Sequence, residues 1–251
     1  MRNSLSKEPG CDTKVKSKAE CSDQILVSTS FLKAKNLCVR PIVKAPDTNT
    51  ALKLTEWITD RAIQGVPPLC SAENLALEYK IDASYPDDEE RIEALINWET
   101  TKNFTSGFIT GLGGLITLPV AIPAAFGASW ILQARMAAAI AKLSGHDLKS
   151  DRVRTFVLIC LAGEAGKEVV KEVGIKIGKG LTESAIRGVS GRALIEINKR
   201  VGFRLLTKAG EKGVLNLSKM VPLAGGLVGG IFDAGACRIV GKQAKDLFYS
   251  K

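Results

Sequence analysis

The sequence predicts a single all-α domain with a central glycine- and proline-rich apolar helical hairpin, preceded by a flexible N-terminal tail. Apolar residues recur at helical spacing from residue 51 onward, residues that start and stop helices separate these stretches, and no strong strand alternation follows Asn49. Residues 1–49 are polar and lack periodicity, so we expect a disordered or weakly ordered tail there. Residues 50–251 are expected to form the helical domain, a length sufficient for a sizeable core.

Three helices are expected before the middle of the chain. The first ends at Gly65, because Pro67 and Pro68 forbid its continuation. Ser71 is a suitable N-cap for the second helix. The third opens on the acidic run at residues 87–90, which suits the positive end of a helix dipole.

A long uncharged stretch follows these helices. Residues 103–134 contain no Asp, Glu, Lys or Arg over 32 positions, and about 20 apolar residues are enough for a helix to span a bilayer. Pro119 and Pro123 argue against one straight helix, because proline removes a backbone donor and clashes with the preceding turn. We therefore expect two short apolar helices that meet at residues 118–123, each too short to cross a membrane alone.

Small residues in this predicted hairpin would permit close helix packing. Gly107 and Gly111 have the G-x-x-x-G spacing, and Gly114 follows them. Two interpretations stay open: the hairpin enters one leaflet of a membrane, or it packs as the buried centre of a helical domain.

A second glycine-rich apolar element covers residues 220–232. It contains two overlaid G-x-x-x-G pairs, which would offer a flat ridge to another helix such as the one predicted at residues 107–114. These glycines are Gly225, Gly226, Gly229 and Gly230. Asp233 is expected to end this element, and a final helix is expected from about Ala234 to Phe248.

The segment between the two glycine-rich elements is basic. Residues 167–219 hold 12 Lys and Arg against 5 Asp and Glu, within a chain of net charge +9. Part of it is an amphipathic helix that can lie on anionic lipid, although an ordinary solvated helix face has the same pattern. The residues predicted to contact an anionic surface are Arg192, Lys199, Arg200 and Arg204. Nucleic-acid binding is disfavoured, because aromatics are only 6% of the chain and no recognised motif occurs.

Signals for chemistry are weak. His146 is the single histidine and the six cysteines form no C-x-x-C pair, so no metal site or cofactor is predicted. Asp147 and Asp151 lie close to His146, which could serve acid–base chemistry, but capping of the following helix explains both aspartates more simply. Glu164 is a third weak catalytic candidate, and its spacing to Lys167 fits an i, i+3 surface pair.

Four blocks in order resemble the bacterial EcsC family. They are GVPPLCSAENLALEY at residues 65–79, TSGFITGLGGLITLPVAIPA at 105–124, QARMAAAIA at 133–141 with Gly145-His-Asp147 and Asp151-Arg-Val-Arg154, and VPLAGGLVGGIFDA at 221–234 with Gly241-Lys-Gln-Ala-Lys245. The resemblance covers roughly residues 50–248, and His146 stands where an aromatic residue is expected. It implies an α-helical domain that accompanies ABC transporter subunits in some bacterial operons, and it supplies no catalytic residues.

The leading functional hypothesis is a non-enzymatic accessory protein on the cytoplasmic face of the inner membrane, peripheral or partly embedded. Its expected partner is an anionic membrane surface or a membrane protein, with homo-oligomers as a further expectation. No apolar leader opens the sequence, which predicts a cytoplasmic location. Two alternatives stay open: a soluble helical oligomerisation or protein-interaction module, and an enzyme acting on lipid or peptide.

Overall fold

The computed structural model describes residues 47–67, 69–104, 124–175, 183–217 and 224–249. These residues form nine helices and, apart from one isolated bridge between Val66 and Leu69, no β-structure. The helices are α1 (Thr48–Gln64), α2 (Ala72–Ile81), α3 (Asp88–Phe104), α4 (Ala124–Leu143), α5 (Asp151–Ala162), α6 (Glu164–Glu172), α7 (Glu183–Arg187), α8 (Gly191–Leu217) and α9 (Ala224–Phe248). The predicted all-α class is confirmed, whereas the predicted tail at residues 1–49 lies almost wholly outside the described residues.

Polar side chains cap the first three helices, and the expected N-cap Ser71 is confirmed. The Asp47 carboxylate accepts from the Thr50 N–H at 2.6 Å, and the Ser71 hydroxyl accepts from the Asn74 N–H at 3.1 Å. At the start of α3, the Asp87 carboxylate accepts from the Glu90 N–H at 2.9 Å. Each contact satisfies a backbone donor that has no partner within its own helix.

Helix α4 is the centre of the bundle. Every residue from 127 to 141 is buried, and α1, α2, α3, α5 and α9 all pack against this helix. A helix that is apolar on all sides is stable only when other elements surround it. The sequence pattern explains this placement, since residues 124–143 contain only two charged side chains, Arg135 and Lys142.

The C-terminal helix differs from the expectation. We expected Asp233 to end the second glycine-rich element, but α9 runs without interruption from Ala224 to Phe248. A single aspartate costs a helix interior only a few tenths of a kcal/mol, and packing of α9 on α3 and α4 outweighs that cost. The four glycines from Gly225 to Gly230 therefore lie in the first two turns of one long helix.

A close helix crossing depends on Gly202 in α8. A Cβ atom at this position would lie 2.4 Å from the carbonyl oxygen of Ala51 in α1, which is far inside van der Waals contact. Because the contact is with backbone, no side-chain movement can relieve it, and α8 would have to separate from α1.

We expect Gly202→Ala to destabilise the protein by about 1–3 kcal/mol, the usual cost of overpacking. Gly191→Ala is the matched control in the same helix, because a Cβ there meets nothing within 4 Å. Urea denaturation of both variants measures the difference. Equal stability of the two variants would show that α8 does not approach α1 this closely.

Candidate functional site

A buried ion pair joins α4 to α3. The Arg135 guanidinium donates to the Glu99 carboxylate at 2.8 Å, and the two side chains are 2% and 1% exposed. Lys102, one turn further along α3, donates to the other oxygen of the same carboxylate at 3.0 Å. Two cations and one anion therefore meet at the α3–α4 contact.

The loop between α1 and α2 supplies the remaining contacts of Arg135. Its Nη1 atom lies 3.3 Å from the Cys70 carbonyl oxygen and 3.5 Å from the Cys70 sulfur. Gly65 makes this loop possible, since its φ is +87° and a Cβ would lie 2.8 Å from the Leu69 carbonyl oxygen. Among the described residues, no group accepts a hydrogen bond from the Nε atom of Arg135.

Burial makes this ion pair sensitive to loss of either partner. Charges taken out of water lose several kcal/mol of solvation each, which their mutual attraction and hydrogen bonds must offset. Removal of Glu99 leaves the buried Arg135 guanidinium uncompensated, whereas removal of Arg135 leaves the buried Glu99 carboxylate with Lys102 alone. The ion pair is therefore a strong constraint on how α3 and α4 align, whatever its net contribution to stability.

A shallow aromatic groove adjoins the ion pair between α2 and α3. Its two cavities, of about 360 and 210 Å³, share the side chains of Tyr79, Tyr85 and Trp98. The two tyrosine rings stack with centroids 6.0 Å apart, and the Lys102 ammonium lies 5.4 Å from the centroid of the Trp98 ring. Trp98 is 55% exposed, which is unusual for so large an apolar side chain. Two tyrosines, one exposed tryptophan and one lysine thus line one surface; we call it the aromatic groove.

The groove and the ion pair are coupled electrostatically. Partial burial raises the pKa of Tyr79 to about 12, and the negative charge of Glu99 adds to the effect. The Tyr79 phenol is therefore neutral throughout the physiological pH range.

The predicted catalytic candidates do not form a common site. The His146 ring lies against Phe248, with Nε2 3.1 Å from the Phe248 carbonyl oxygen. The Asp147 carboxylate accepts from the Lys149 N–H at 3.0 Å and so closes a turn. Asp151 is exposed in the first turn of α5, whose N-cap is Ser150, so the capping role expected for the two aspartates is wrong.

Glu164 has the ordinary role expected for it, and Cys160 is a buried thiol. Glu164 is exposed and accepts from Lys167 at 2.7 Å, which confirms the i, i+3 pair, and from Gln243 at 3.1 Å. The hydrogen bond from Lys167 is the main reason that the pKa of the Glu164 carboxyl is lowered. Cys160 is fully buried, and burial raises the pKa of its thiol. Within the described part of the chain, no three Asp, Glu, His or Cys side chains group as metal ligands.

Three helix termini lie at one end of the bundle. Ile96 of α3 and Met136 of α4 both approach Gly241 of α9, which sets a common level for the three helices. From this level α9 runs parallel to α4, as the His146–Phe248 contact shows, and antiparallel to α3, as the contact of Lys245 with Glu93 shows.

The C-terminus of α3 and the N-termini of α4 and α9 therefore lie at the same end. Both uncharged stretches of the sequence attach there, so we call it the uncharged end; it is defined by Phe104, Ala124 and Ala224. The hairpin residues Gly107, Gly111, Gly114, Pro119 and Pro123 lie outside the described residues. In the described helices, no segment is both long enough and apolar enough to cross a membrane.

The four predicted basic contact residues fall into two classes. Arg200 forms ion pairs with Glu172 and Glu196, and Arg204 lies 3.5 Å from Glu168, so both point toward α6 or their own helix. Arg192 is exposed and Lys199 is half-buried, and neither forms an ion pair within the described residues. Ile195, which is 60% exposed, lies between them in α8.

The sequence contained a signal for the ion pair that its motifs did not reveal. Arg135 is the single charged residue between Lys102 and Lys142. A lone charge in so apolar a stretch requires a buried partner of opposite sign. Its partner, Glu99, lies 36 residues away along the chain, in a helix rich in other carboxylates, so the sequence alone does not identify it.

We expect loss of one partner to cost about 3–5 kcal/mol, in Glu99→Gln or in Arg135→Met, because the other charge stays buried. The double variant Glu99→Gln/Arg135→Met should recover part of that loss, since neither buried charge remains and the Lys102 side chain, 30% exposed, keeps access to water. Chemical denaturation of the four proteins gives the coupling energy. Additive effects of the two substitutions would contradict a direct interaction.

Ionisation of Tyr79 predicts a loss of stability in alkali. The folded-state pKa of about 12 lies above the ordinary value of 10.0, so its contribution is complete below pH 10 and is lost between pH 10 and 12. Tyr79→Phe should reduce the slope of stability against pH in this window and remove the last tyrosinate absorbance step. An unchanged titration would place the raised pKa on another tyrosine.

Comparison with known protein families agrees with this architecture. No curated protein and no solved structure matches the chain significantly. The model of the EcsC protein family matches residues 48–250, from the first turn of α1 to the end of the described chain. This match covers every described helix, and the chain therefore belongs to the EcsC protein family.

Proposed function

We propose that this chain is a non-enzymatic accessory protein that attaches to the cytoplasmic face of the inner membrane through the uncharged end of its bundle. The observation that carries the proposal is the common location of the termini to which residues 105–123 and 218–223 attach. Residues 127–134 of the uncharged stretch are buried within α4, and residues 105–123 attach to this end without a single charged side chain. An uncharged segment at this place gives the end a preference for an apolar environment. By family resemblance, the proposed context is an ABC transport or secretion system.

Residues near this end support an interfacial position. Trp98 and Lys102 precede the last residue of α3, Phe104, by six and two positions, which is about 9 and 3 Å along the helix axis. Tryptophan is enriched at the level of lipid headgroups, and lysine extends its ammonium toward them. The exposed indole suits that environment, whereas the Lys102 ammonium beside it is paired with Glu99 and contributes less.

The outer face of α8 supplies an alternative attachment by charge, at the opposite end of the bundle. The side chain of Arg152, at the start of α5, donates to the Val189 carbonyl oxygen directly before α8, which places the start of α8 near the C-terminus of α4. Arg192 and Lys199 flank the exposed Ile195, and basic residues near an anionic leaflet contribute about 1 kcal/mol each. Arg200 and Arg204 are occupied by glutamates and contribute less to this attachment. The basic residues that act in this proposal are therefore half of those that the sequence suggested.

One observation favours a soluble interaction module as the second candidate. Leu77 and Ile81 are one turn apart on the outer side of α2, and they are 56% and 72% exposed. Two large aliphatic side chains on one solvent-facing stripe suit contact with another protein. In this candidate the uncharged stretch is core, and the chain does not bind lipid.

The charge attachment is tested by co-sedimentation with vesicles that contain anionic lipid. We expect Arg192→Glu/Lys199→Glu to weaken binding at least tenfold, since two attractive charges become repulsive. Lys53→Glu/Lys149→Glu is the control with the same change of net charge at exposed positions in α1 and before α5. Equal loss in both variants would mean that net charge, and not the α8 face, determines binding.

The position of the uncharged end is tested with brominated lipids, which quench tryptophan only at short range. We expect strong quenching of the wild-type protein and much weaker quenching of Trp98→Phe. Membranes from cells should retain the native protein after a high-salt wash if this end is embedded, and release it in alkaline carbonate only if attachment is superficial. Recovery of the protein in the soluble fraction before any wash would support the interaction module.

A further inference from the structure

We propose that the aromatic groove binds a linear polyamine, with its ammonium groups held by aromatic faces and by Glu78 and Asp82. This ligand class follows from three properties of the groove: its size, its charge and the chemistry of its walls. The inference does not rest on membrane attachment, although both proposals use Trp98. Polyamine binding is measured with the protein free of lipid, so the failure of one proposal is distinguishable from the failure of the other.

The size of the groove suits a small elongated molecule. Its larger cavity is about 360 Å³, within the range of about 300–1,000 Å³ that small-molecule sites occupy. The smaller cavity adds about 210 Å³ and shares three aromatic side chains with the larger one. A flexible chain with charges several atoms apart can cover both cavities, whereas a compact ligand would fill only one.

The charge of the groove favours a cation. Glu78 and Asp82 line the smaller cavity, and the one lysine there, Lys102, is paired with Glu99. A hydrogen bond from the Ser84 N–H lowers the pKa of Asp82, which keeps this carboxylate ionised. Along the sequence, residues 51–101 carry 11 acidic against 4 basic side chains, although the whole chain is basic.

The walls of the groove are the surfaces on which organic cations bind. The faces of tyrosine and tryptophan rings attract ammonium groups within about 6 Å of the ring centroid. The Lys102 ammonium takes such a position at Trp98, 5.4 Å from the centroid, so the ligand's ammonium groups would use Tyr79, Tyr85 and the rest of the Trp98 surface, which is 55% exposed. At the larger cavity, Asn97 and Thr101 add polar groups beside the aromatic walls.

The proposal is tested by calorimetric titration of the full chain with spermidine, with tryptophan fluorescence as a second signal. We expect one saturable site, whose affinity falls at least tenfold in Glu78→Gln/Asp82→Asn and in Trp98→Leu. Trp98→Phe should retain part of the affinity, because an aromatic face remains. The control Glu56→Gln/Glu90→Gln removes the same charge at exposed positions outside the groove and should bind normally.

Three outcomes would overturn the proposal. The first is the absence of saturable binding to the wild-type protein. The second is an equal loss of affinity in the control variant, which would reveal diffuse attraction to the acidic region and no defined site. The third is equal affinity for a neutral polyether of the same length, which would show that the groove selects shape and apolar surface instead of ammonium groups.

Discussion

The contact between Arg135 and Glu99 is the constraint on which the arrangement of the bundle depends. Helix α4 is buried on all sides, so its one interior charge can be accommodated in only one orientation. That orientation sets the rotation of α4 about its axis and its level against α3. The same guanidinium also donates to the Cys70 carbonyl oxygen in the α1–α2 loop. One side chain, Arg135, therefore positions α3, α4 and this loop relative to one another.

Such an arrangement selects one packing among several that apolar contacts would permit. The faces of α4 are rich in alanine, and seven of its residues between 134 and 141 are small or aliphatic. Small side chains pack almost equally well in several registers, since they offer few features that interlock. A buried charge with a single partner removes that ambiguity, because every other register leaves the charge without one.

Local features of this fold were predictable, whereas its long-range pairings were not. Asp47, Ser71 and Gly65 act on backbone groups three or four residues away, so their roles are visible in the sequence. The prediction that Asp233 ends a helix is wrong, because one helix-disfavouring residue does not terminate α9, which is held by its packing on two other helices. The aromatic groove was missed for the same reason that Glu99 was: its walls come from two helices and the turn between them, and only the fold brings Tyr79, Tyr85 and Trp98 together.

The ion pair also has a mechanical consequence for the segment that follows α3. Glu99 and Arg135 are 36 residues apart and lie on either side of residues 105–123, so their contact closes the chain around that segment. Force applied to the segment by a membrane or a partner would be transmitted along α3 to Glu99 and through the buried residues 127–134 of α4 to Arg135. The segment is thus held at both ends by helices that share one ion pair. A pull on it loads that ion pair together with the packing of α4 against its neighbouring helices.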